Sequence, residues 1–198
     1  MFGIDTFPRF FIKLHDARSL HLDLRLEHKE GLKSWFLPPA LYLDPTRRHK
    51  ATSVADHQLK YGLVERVIPA GWYGAGPMLL WDHGIWLPSG DVDQGLHHGH
   101  LRFRLQGRRL KGGWLLKRRS DDGGGQVWDL MKEDDAEAWP FSARNLVAEM
   151  PTSVLTGRTL DEVAAEPHRV EPSRSNLQGS TRSRKNSPHR NQPLLPFA

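Results

Sequence analysis

Apolar and polar residues alternate without a break over LHLDLRLE, Leu20 to Glu27. In a β-strand this alternation places the leucines on one face and His21, Asp23, Arg25 and Glu27 on the other. A face with an imidazole, two carboxylates and a guanidinium in a row is a candidate site. The alternative is an ordinary half-buried strand, which also has one polar face.

Short alternating segments recur between residues 9 and 150, separated by Gly, Pro and Asp. Their spacing predicts a mainly antiparallel sandwich or barrel. The predicted strands are Phe10–Leu14, Leu20–Glu27, Lys33–Leu37, Lys50–Val54, Pro77–Trp81, Gly84–Leu87, His100–Leu105, Gly113–Arg118 and Gln126–Met131. His28-Lys29-Glu30-Gly31 is predicted to be a hairpin turn, and Ser120–Gly125 a loop.

Two helices are predicted after the last strand. Thr159 is followed three residues later by Glu162, which is a capping box, and Pro167 ends the helix that it opens. A short helix is also predicted at Asp134–Ala138. Beyond Pro167 the chain is rich in Ser, Arg, Asn, Gln and Pro and has almost no aromatic residues, which is typical of disorder.

Charge is concentrated at the C-terminus of the 198 residues, whose net charge is +5. Between Glu166 and Ala198 the sequence has six Arg and Lys residues and two acidic residues. Such a tail can bind a polyanion, or it can be a solvated end. The predicted organisation is a β domain over residues 1–150, a linker and helix over 151–166, and a disordered basic tail over 167–198.

No apolar run is long enough to span a membrane, and MFGIDTFPRFF does not resemble a secretory signal. The sequence has no cysteine, which excludes disulfides and thiolate zinc sites and leaves His, Asp and Glu as metal ligands. This composition fits a reducing cytoplasm.

The candidate ligands of a transition metal lie on and next to the first alternating strand. His21 and Asp23 stand about 6.5–7 Å apart on one face, and the turn-like Asp16–Ser19 segment lets His15 fold back towards them. Two imidazoles and one carboxylate suit Mn, Fe, Co, Ni or Zn better than Mg or Ca. Arg25 can bind an anion that the metal also contacts.

Three further motifs carry both a functional and a structural interpretation. His57 and Tyr61 lie four residues apart, which places them on one face of a helix. Together they can bind or protonate a phosphoryl oxygen, or they can be packing residues. IPAGWYGAG resembles a phosphate-cradling loop without the Gly-Lys-Ser/Thr of a P-loop, and is otherwise a tight turn. The His97-His98-Gly99-His100 cluster can chelate a metal or mark the entry to a strand.

Several stretches together resemble the 3′-phosphoesterase domain of bacterial DNA ligase D and its free-standing or split relatives. They are FFIKLHDARSLHLDLRLEHKEGLKSWFLP, ADHQLKY, ERVIPAGWYGAGPMLLWDHGIW, LQGRRLKGGWLLKR, VWDLMKEDDAEA and the later PTSVLTGRTLDEVA. The resemblance implies an antiparallel β-barrel with a hydrophilic interior and a few short helices. It implies a manganese-dependent hydrolase that removes a 3′-terminal ribonucleoside and then a 3′-phosphate from DNA in double-strand break repair.

By motif position, the resemblance assigns the metal to His15, His21 and Asp23. It assigns the scissile phosphate and its activation to Arg25, His57 and Tyr61. The implied partners are DNA 3′ ends and, in addition, a separate ligase, polymerase and end-binding protein, with no membrane. The implied location is the bacterial cytoplasm, at the nucleoid during repair.

The chain departs from the family pattern at four positions. Pro39 and His49 stand where basic residues are usual, His49 being flanked by Arg48 and Lys50, while Ala55 and Trp72 replace acidic residues. The resemblance therefore leaves open which of the two 3′-end reactions is retained, and whether the enzyme is weakened.

Two other functions are compatible with the same residues. One is a DNA-end-binding protein without turnover. The other is a non-haem iron oxygenase with His21, Asp23 and His57 as its facial triad and Arg66 as the anchor of a keto acid. The oxygenase does not account for the Lys-Ser-Trp and Tyr-Gly-Ala-Gly matches.

Overall fold

The computed structural model describes residues 7–119 and 126–166. The strands of this part are β1 (Arg9–Asp16), β2 (Leu20–His28), β3 (Gly31–Leu37), β4 (His49–Gln58), β5 (Arg66–Ile68), β6 (Gly76–Pro88), β7 (His100–Gly107), β8 (Lys111–Arg118) and β9 (Val127–Lys132). The α-helices are α1 (Val92–His98), α2 (Leu146–Glu149) and α3 (Leu160–Ala165), and Leu59–Tyr61 form a 3-10 helix.

Eight strands close into an antiparallel barrel in the order β1-β2-β3-β4-β9-β8-β7-β6, with β6 pairing back onto β1. The ninth strand, β5, pairs with the first residues of β6. The predicted barrel is therefore confirmed. So is the hairpin turn between β2 and β3, where His28 pairs with Gly31 and Lys29 adopts a φ of 54°.

The barrel interior is apolar, so the predicted hydrophilic interior is wrong. One hydrophobic cluster takes side chains from all eight barrel strands, for example Ile12, Leu24, Trp35 and Trp114, and only the inside of a closed barrel can bring these together. The alternating leucines of β2 belong to this cluster. Because side chains alternate along a strand, the polar residues between them lie on the outer wall.

A smaller apolar cluster covers part of this outer wall. Phe11, Leu32 and Leu80 are buried there. Side chains from the 3-10 helix, from the segment after it and from the C-terminal segment pack onto them: Leu59, Leu63, Val154 and Leu155. This cover explains how polar side chains on the outside of the barrel come to be buried.

β6 is one strand of 13 residues, although the sequence predicts two strands with a break at Asp82-His83. The strand runs through this point, where its register against β1 shifts between Ile12 and Lys13. The buried carboxylate of Asp82 accepts hydrogen bonds from the backbone N–H groups of His83 and of the three residues of the β7–β8 turn: Arg108, Arg109 and Leu110. Asp82 thus stabilises the β7–β8 turn from a position within β6.

The helix opened by the Thr159 capping box is confirmed as α3. The helix predicted at Asp134–Ala138 is wrong: the segment is a turn. The Asp135 carboxylate accepts bonds from the N–H groups of Gly113 and Glu137, and such local bonds compete with helix formation. The short elements β5, α1 and α2 are not predicted from the sequence. The predicted loop 120–125 and disordered tail 167–198 lie outside the described residues, and the predicted boundary at 150/151 stays a prediction.

Candidate active site

The polar faces of β1 and β2 meet side by side on the outer wall of the barrel. His15 pairs with His21 across the two strands, and Lys13 pairs with Asp23. Arg25 follows two residues later on the same face of β2. Three of the predicted site residues, His15, Asp23 and Arg25, are buried. Strand pairing therefore places the two histidines opposite each other, with Asp23 two residues further along β2.

The two histidines differ in which ring atom is left available. Nδ1 of His21 lies 2.8 Å from the Ser19 carbonyl, while its Nε2 is buried and has no hydrogen-bond partner within residues 7–119 and 126–166. Nε2 of His15 lies 2.8 Å from the Gly74 carbonyl. The ring centroids are 4.9 Å apart, and burial, followed by the neighbouring His21, lowers the pKa of His15. The neutral imidazole, which a lowered pKa favours at His15, is the form in which histidine binds a metal.

Asp23 and Arg25 form a buried ion pair. The Arg25 Nε donates to Asp23 Oδ2 at 2.9 Å, and Nη2 donates to the same oxygen. Burial alone would raise the pKa of Asp23, but Arg25 outweighs burial and the pKa lies below its ordinary value. The second oxygen, Oδ1, is buried and has no hydrogen-bond partner in the part of the chain that the structure describes. Nη1 of Arg25 makes a long contact, 3.5 Å, to the Tyr61 carbonyl, so it is the donor of Arg25 best placed for an anion.

His57 lies on β4, so its predicted place on a helical face with Tyr61 is wrong. Tyr61 instead ends the 3-10 helix that follows the strand. The Ser34 hydroxyl donates its single proton to the Leu32 carbonyl at 2.9 Å, and the hydroxyl oxygen lies 3.0 Å from His57 Nδ1. Both contacts are hydrogen bonds at the same time only if His57 Nδ1 carries the proton, and this arrangement leaves Nε2 to accept or deliver one.

The electrostatic surroundings of His57 tie it to the same site. Burial lowers its pKa, and the positive charge of Arg25 lowers it further, against the opposing effect of Asp23. Tyr61 is joined to Arg25 through its backbone carbonyl, and the guanidinium of Arg66 lies over its ring at 5.4 Å from the centroid. An arginine, a histidine and a ring-stacked arginine around one face suit an anionic ligand.

The fit of a metal to this face is partial. His21 Nε2 and Asp23 Oδ1 are buried atoms without hydrogen-bond partners among the described residues, and a cation would satisfy both. Yet no three His, Asp or Glu side chains within residues 7–119 and 126–166 stand arranged as a metal site. That holds for His15, His21 and Asp23, and equally for the oxygenase triad of His21, Asp23 and His57. His15 is the member whose Nε2 is already bonded to a carbonyl.

Three buried polar residues in or behind the site are absent from the sequence prediction. Lys13 is fully buried, and its Nζ donates to the Val64 carbonyl; desolvation, then Arg25, lowers its pKa well below the ordinary value. The alternation in FFIKLH places Lys13 on the face of His15 and was a signal for it. Ser34 lies in the Lys-Ser-Trp motif. Glu65 is bonded to the Ser153 hydroxyl, 88 residues away, and no local pattern signals this contact.

Other candidate residues lie outside this face or hold structural positions. His97 and His98 end α1 and His100 begins β7; within the described ranges they do not form a metal cluster. His49 is buried, with Nδ1 3.0 Å from the Leu130 carbonyl, and its Nε2 accepts the N–H of Tyr42. His49 therefore has a structural role at a position where the family usually has a basic residue.

No helix in the described part of the chain is long and apolar enough to cross a membrane.

Comparison with known proteins gives a consistent match. A family model described as the DNA Ligase D 3′-phosphoesterase domain matches residues 13–118. The multifunctional non-homologous end joining protein LigD of Pseudomonas aeruginosa is 43% identical over 152 residues, which cover 77% of this chain and 18% of that protein. The multifunctional non-homologous end joining DNA repair protein LigD of Mycobacterium tuberculosis H37Rv is 37% identical over 113 residues, 57% of this chain and 15% of that protein.

Proposed function

The chain belongs to the family of DNA ligase D 3′-phosphoesterase domains, and we propose that it is a metal-dependent hydrolase that heals DNA 3′ ends during double-strand break repair. The substrates are a 3′-terminal ribonucleoside, a 3′-phosphate, or both, and the product is a 3′-OH. The observation that carries the proposal is the buried outer-wall face on which Arg25, Asp23 and His57 lie together.

The proposed roles follow from the atoms that the site leaves available. Nη1 of Arg25 binds a non-bridging oxygen of the scissile phosphate, since Nε and Nη2 are held by Asp23. His57 Nε2 faces the same phosphate, because Nδ1 is held by Ser34. Tyr61 supplies a third contact to the phosphate. Binding an anion offsets the charge of Arg25 and raises the pKa of His57 again, so that a proton is taken up with the substrate.

Hydrolysis of a 3′-phosphate breaks the bond between phosphorus and O3′, and water adds to phosphorus. His57 gives the proton at Nε2 to the departing O3′, which leaves a 3′-OH. In ribonucleoside removal the departing atom is the O5′ of the terminal ribonucleoside, and a 3′-phosphate remains. Both reactions need a proton from His57 Nε2 on the departing oxygen, so one face serves both.

We propose manganese, or another divalent transition metal, as the cofactor, held by His15, His21 and Asp23. When bound, it supplies charge neutralisation on the phosphate and lowers the pKa of a water. The two partnerless atoms, His21 Nε2 and Asp23 Oδ1, support this assignment. His15 joins the set only if its ring leaves the Gly74 carbonyl or uses Nδ1.

The chain spans 18% of its Pseudomonas relative, whose name describes a multifunctional end-joining protein. We propose that polymerisation and ligation of the healed end come from a partner or a linked domain, and that an end-binding protein brings the DNA. Repair of chromosomal breaks in the cytoplasm, at the nucleoid, is part of the same proposal.

The test uses a 5′-labelled primer–template that ends in one ribonucleotide, and the same duplex with a 3′-phosphate. Each is incubated with protein stripped of metal, with and without added manganese, beside Asp23→Ala. We expect manganese-dependent shortening or dephosphorylation that Asp23→Ala lacks. A folded, manganese-loaded protein that converts neither duplex would refute the proposed activity.

One observation favours the second candidate, DNA-end binding without turnover: the described residues hold no preformed three-ligand metal site. The two functions separate in a binding assay. End binding without turnover predicts that His21→Ala keeps full affinity for a 3′-phosphate end, whereas a catalytic metal site predicts that both turnover and manganese binding disappear in this variant.

A further inference from the structure

Two large aromatic side chains project into solvent beside the site. Trp72 is 57% exposed and Tyr73 is 93% exposed, in the loop between β5 and β6. Single exposed aromatic residues are common on protein surfaces. Two in succession are different, because they leave most of their apolar area in water and add little to the stability of the barrel. Their position therefore needs a cause other than packing.

The loop that carries them is tied down on both sides. Trp72 N–H donates to the Pro69 carbonyl at 3.2 Å, and Ala75 N–H donates to the Trp72 carbonyl at 3.1 Å. Gly71 and Gly74 have φ angles of 88° and 74°, which favour glycine and fix the turn around the aromatic pair. A fixed loop presents its side chains without a large loss of conformational entropy on binding.

The same loop contacts the proposed catalytic face directly. Gly74, the residue after Tyr73, accepts through its carbonyl from His15 Nε2, and a Cβ at Gly74 would lie 3.4 Å from the His15 ring. The Cα atoms of Tyr73 and Gly74 are about 3.8 Å apart. On the hairpin side of His15, Leu20 is 40% exposed. The aromatic pair thus stands at the rim of the site.

We infer that Trp72 and Tyr73 form a stacking surface for the terminal nucleobase of the strand whose 3′ end is processed. The inference rests on the proposed function, and it names how that site holds its substrate. Every base has a flat apolar face, so stacking on an aromatic ring positions a strand end without selecting its sequence. Arg25 and His57 would then hold the phosphate while the aromatic pair holds the base attached next to it.

The first test measures affinity rather than turnover. A fluorescent duplex with a 3′-phosphate on a normal terminal nucleotide is compared, by polarisation, with the same duplex whose terminal nucleotide lacks its base. Loss of one stacked base costs about 1–3 kcal/mol, or about 5- to 150-fold in affinity. We expect Trp72→Ala and Tyr73→Ala to weaken binding by a factor in this range on the normal duplex and not on the abasic duplex. Trp72→Phe should restore most of the affinity.

Phe7 provides the matched control, since it is 58% exposed but precedes the opposite end of β1. It lies eight residues before His15, a separation of up to about 27 Å along an extended chain. Phe7→Ala should bind both duplexes as the wild type does. An equal loss of affinity in Phe7→Ala, or an equal loss on normal and abasic ends in Trp72→Ala, would overturn the stacking surface. Selective loss only when an end-binding protein is present would assign the pair to protein docking and overturn it too.

Failure of this inference and failure of the proposed function give different results. If the wild type converts 3′-phosphate ends and Trp72→Ala binds them normally, the function stands and the stacking surface is refuted. If the wild type converts neither substrate but its affinity depends on the terminal base and on Trp72, the stacking surface stands without the activity. If the wild type shows no preference for a normal end over an abasic one, stacking is refuted whatever the turnover.

Discussion

Ser34→Ala is the sharpest single perturbation of the proposed proton donor, because it removes one oxygen atom and leaves His57 in place. The Ser34 hydroxyl is buried; it donates to the Leu32 carbonyl at 2.9 Å and lies 3.0 Å from His57 Nδ1. Its removal deletes the hydroxyl oxygen that accepts from His57 Nδ1 in this arrangement. The reacting nitrogen, Nε2, then loses both its defined tautomer and its direction.

The magnitude follows from the type of hydrogen bond. A bond to a neutral partner contributes about 1 kcal/mol and one to a charged partner about 1.5–3 kcal/mol. In the proposed reaction His57 is charged while it delivers its proton, so the larger value applies to the rate. At about 1.4 kcal/mol per factor of ten, kcat should fall by about 10- to 150-fold. The free energy of unfolding should change by only about 1 kcal/mol, and KM should change little.

The assay is single-turnover removal of a 3′-phosphate with wild type, Ser34→Ala and Ser34→Thr, which keeps the hydroxyl. We expect Ser34→Thr to recover most of the rate. Independently of turnover, ¹⁵N spectra of the imidazoles should place the His57 proton on Nδ1 in the wild type and not uniquely so in Ser34→Ala. A rate within twofold of wild type in Ser34→Ala, or a proton on Nε2 in the wild type at high pH, would refute this account of His57.

Three further outcomes test the metal assignment and the fold. Asp23→Ala should lose manganese binding measured by electron paramagnetic resonance, and retained manganese would remove Asp23 from the ligand set. Asp82→Ala strips the acceptor from four backbone N–H groups and should lower the free energy of unfolding in urea by about 3 kcal/mol or more; a loss under about 1 kcal/mol would contradict its role. Burial lowers the pKa of His49 despite its bond to the Leu130 carbonyl. Neutral His49 therefore contributes its full stabilisation of the fold above about pH 6.5, and this contribution is lost as the pH falls through the lower folded pKa. His49→Gln should flatten the pH dependence of the free energy of unfolding between pH 7 and 5. An unchanged slope would argue against this role of His49.

The strands and the polar face of β2 are predictable because an alternation of period two is a local property of the sequence. The same alternation is silent on which face curves inward, so the leucines are inside the barrel although the resemblance implied a polar interior. The break at Asp82 was also a local interpretation, and the carboxylate instead fastens a turn more than 25 residues away in the chain. Lys13 had a local signal, whereas Glu65 depends on a contact made only by the complete fold.

The helical face predicted for His57 and Tyr61 was wrong, because a four-residue spacing is compatible with two different local structures. Four residues can join one face of an α-helix, or they can join the end of a strand to a single 3-10 turn. In this protein the second arrangement keeps His57 on the wall beside Ser34 and brings the Tyr61 carbonyl to Arg25. The predicted proximity of the two residues therefore does not depend on the predicted helix.

An apolar interior has a consequence for how a long substrate is handled. With the reacting groups of the proposed site on the outside of a filled barrel, a DNA end does not have to enter the barrel to reach them. In the proposed reaction the duplex therefore approaches from the side, and the trimmed end departs without any opening of the barrel wall. The proposed product, a healed 3′ terminus, is then accessible to a following enzyme.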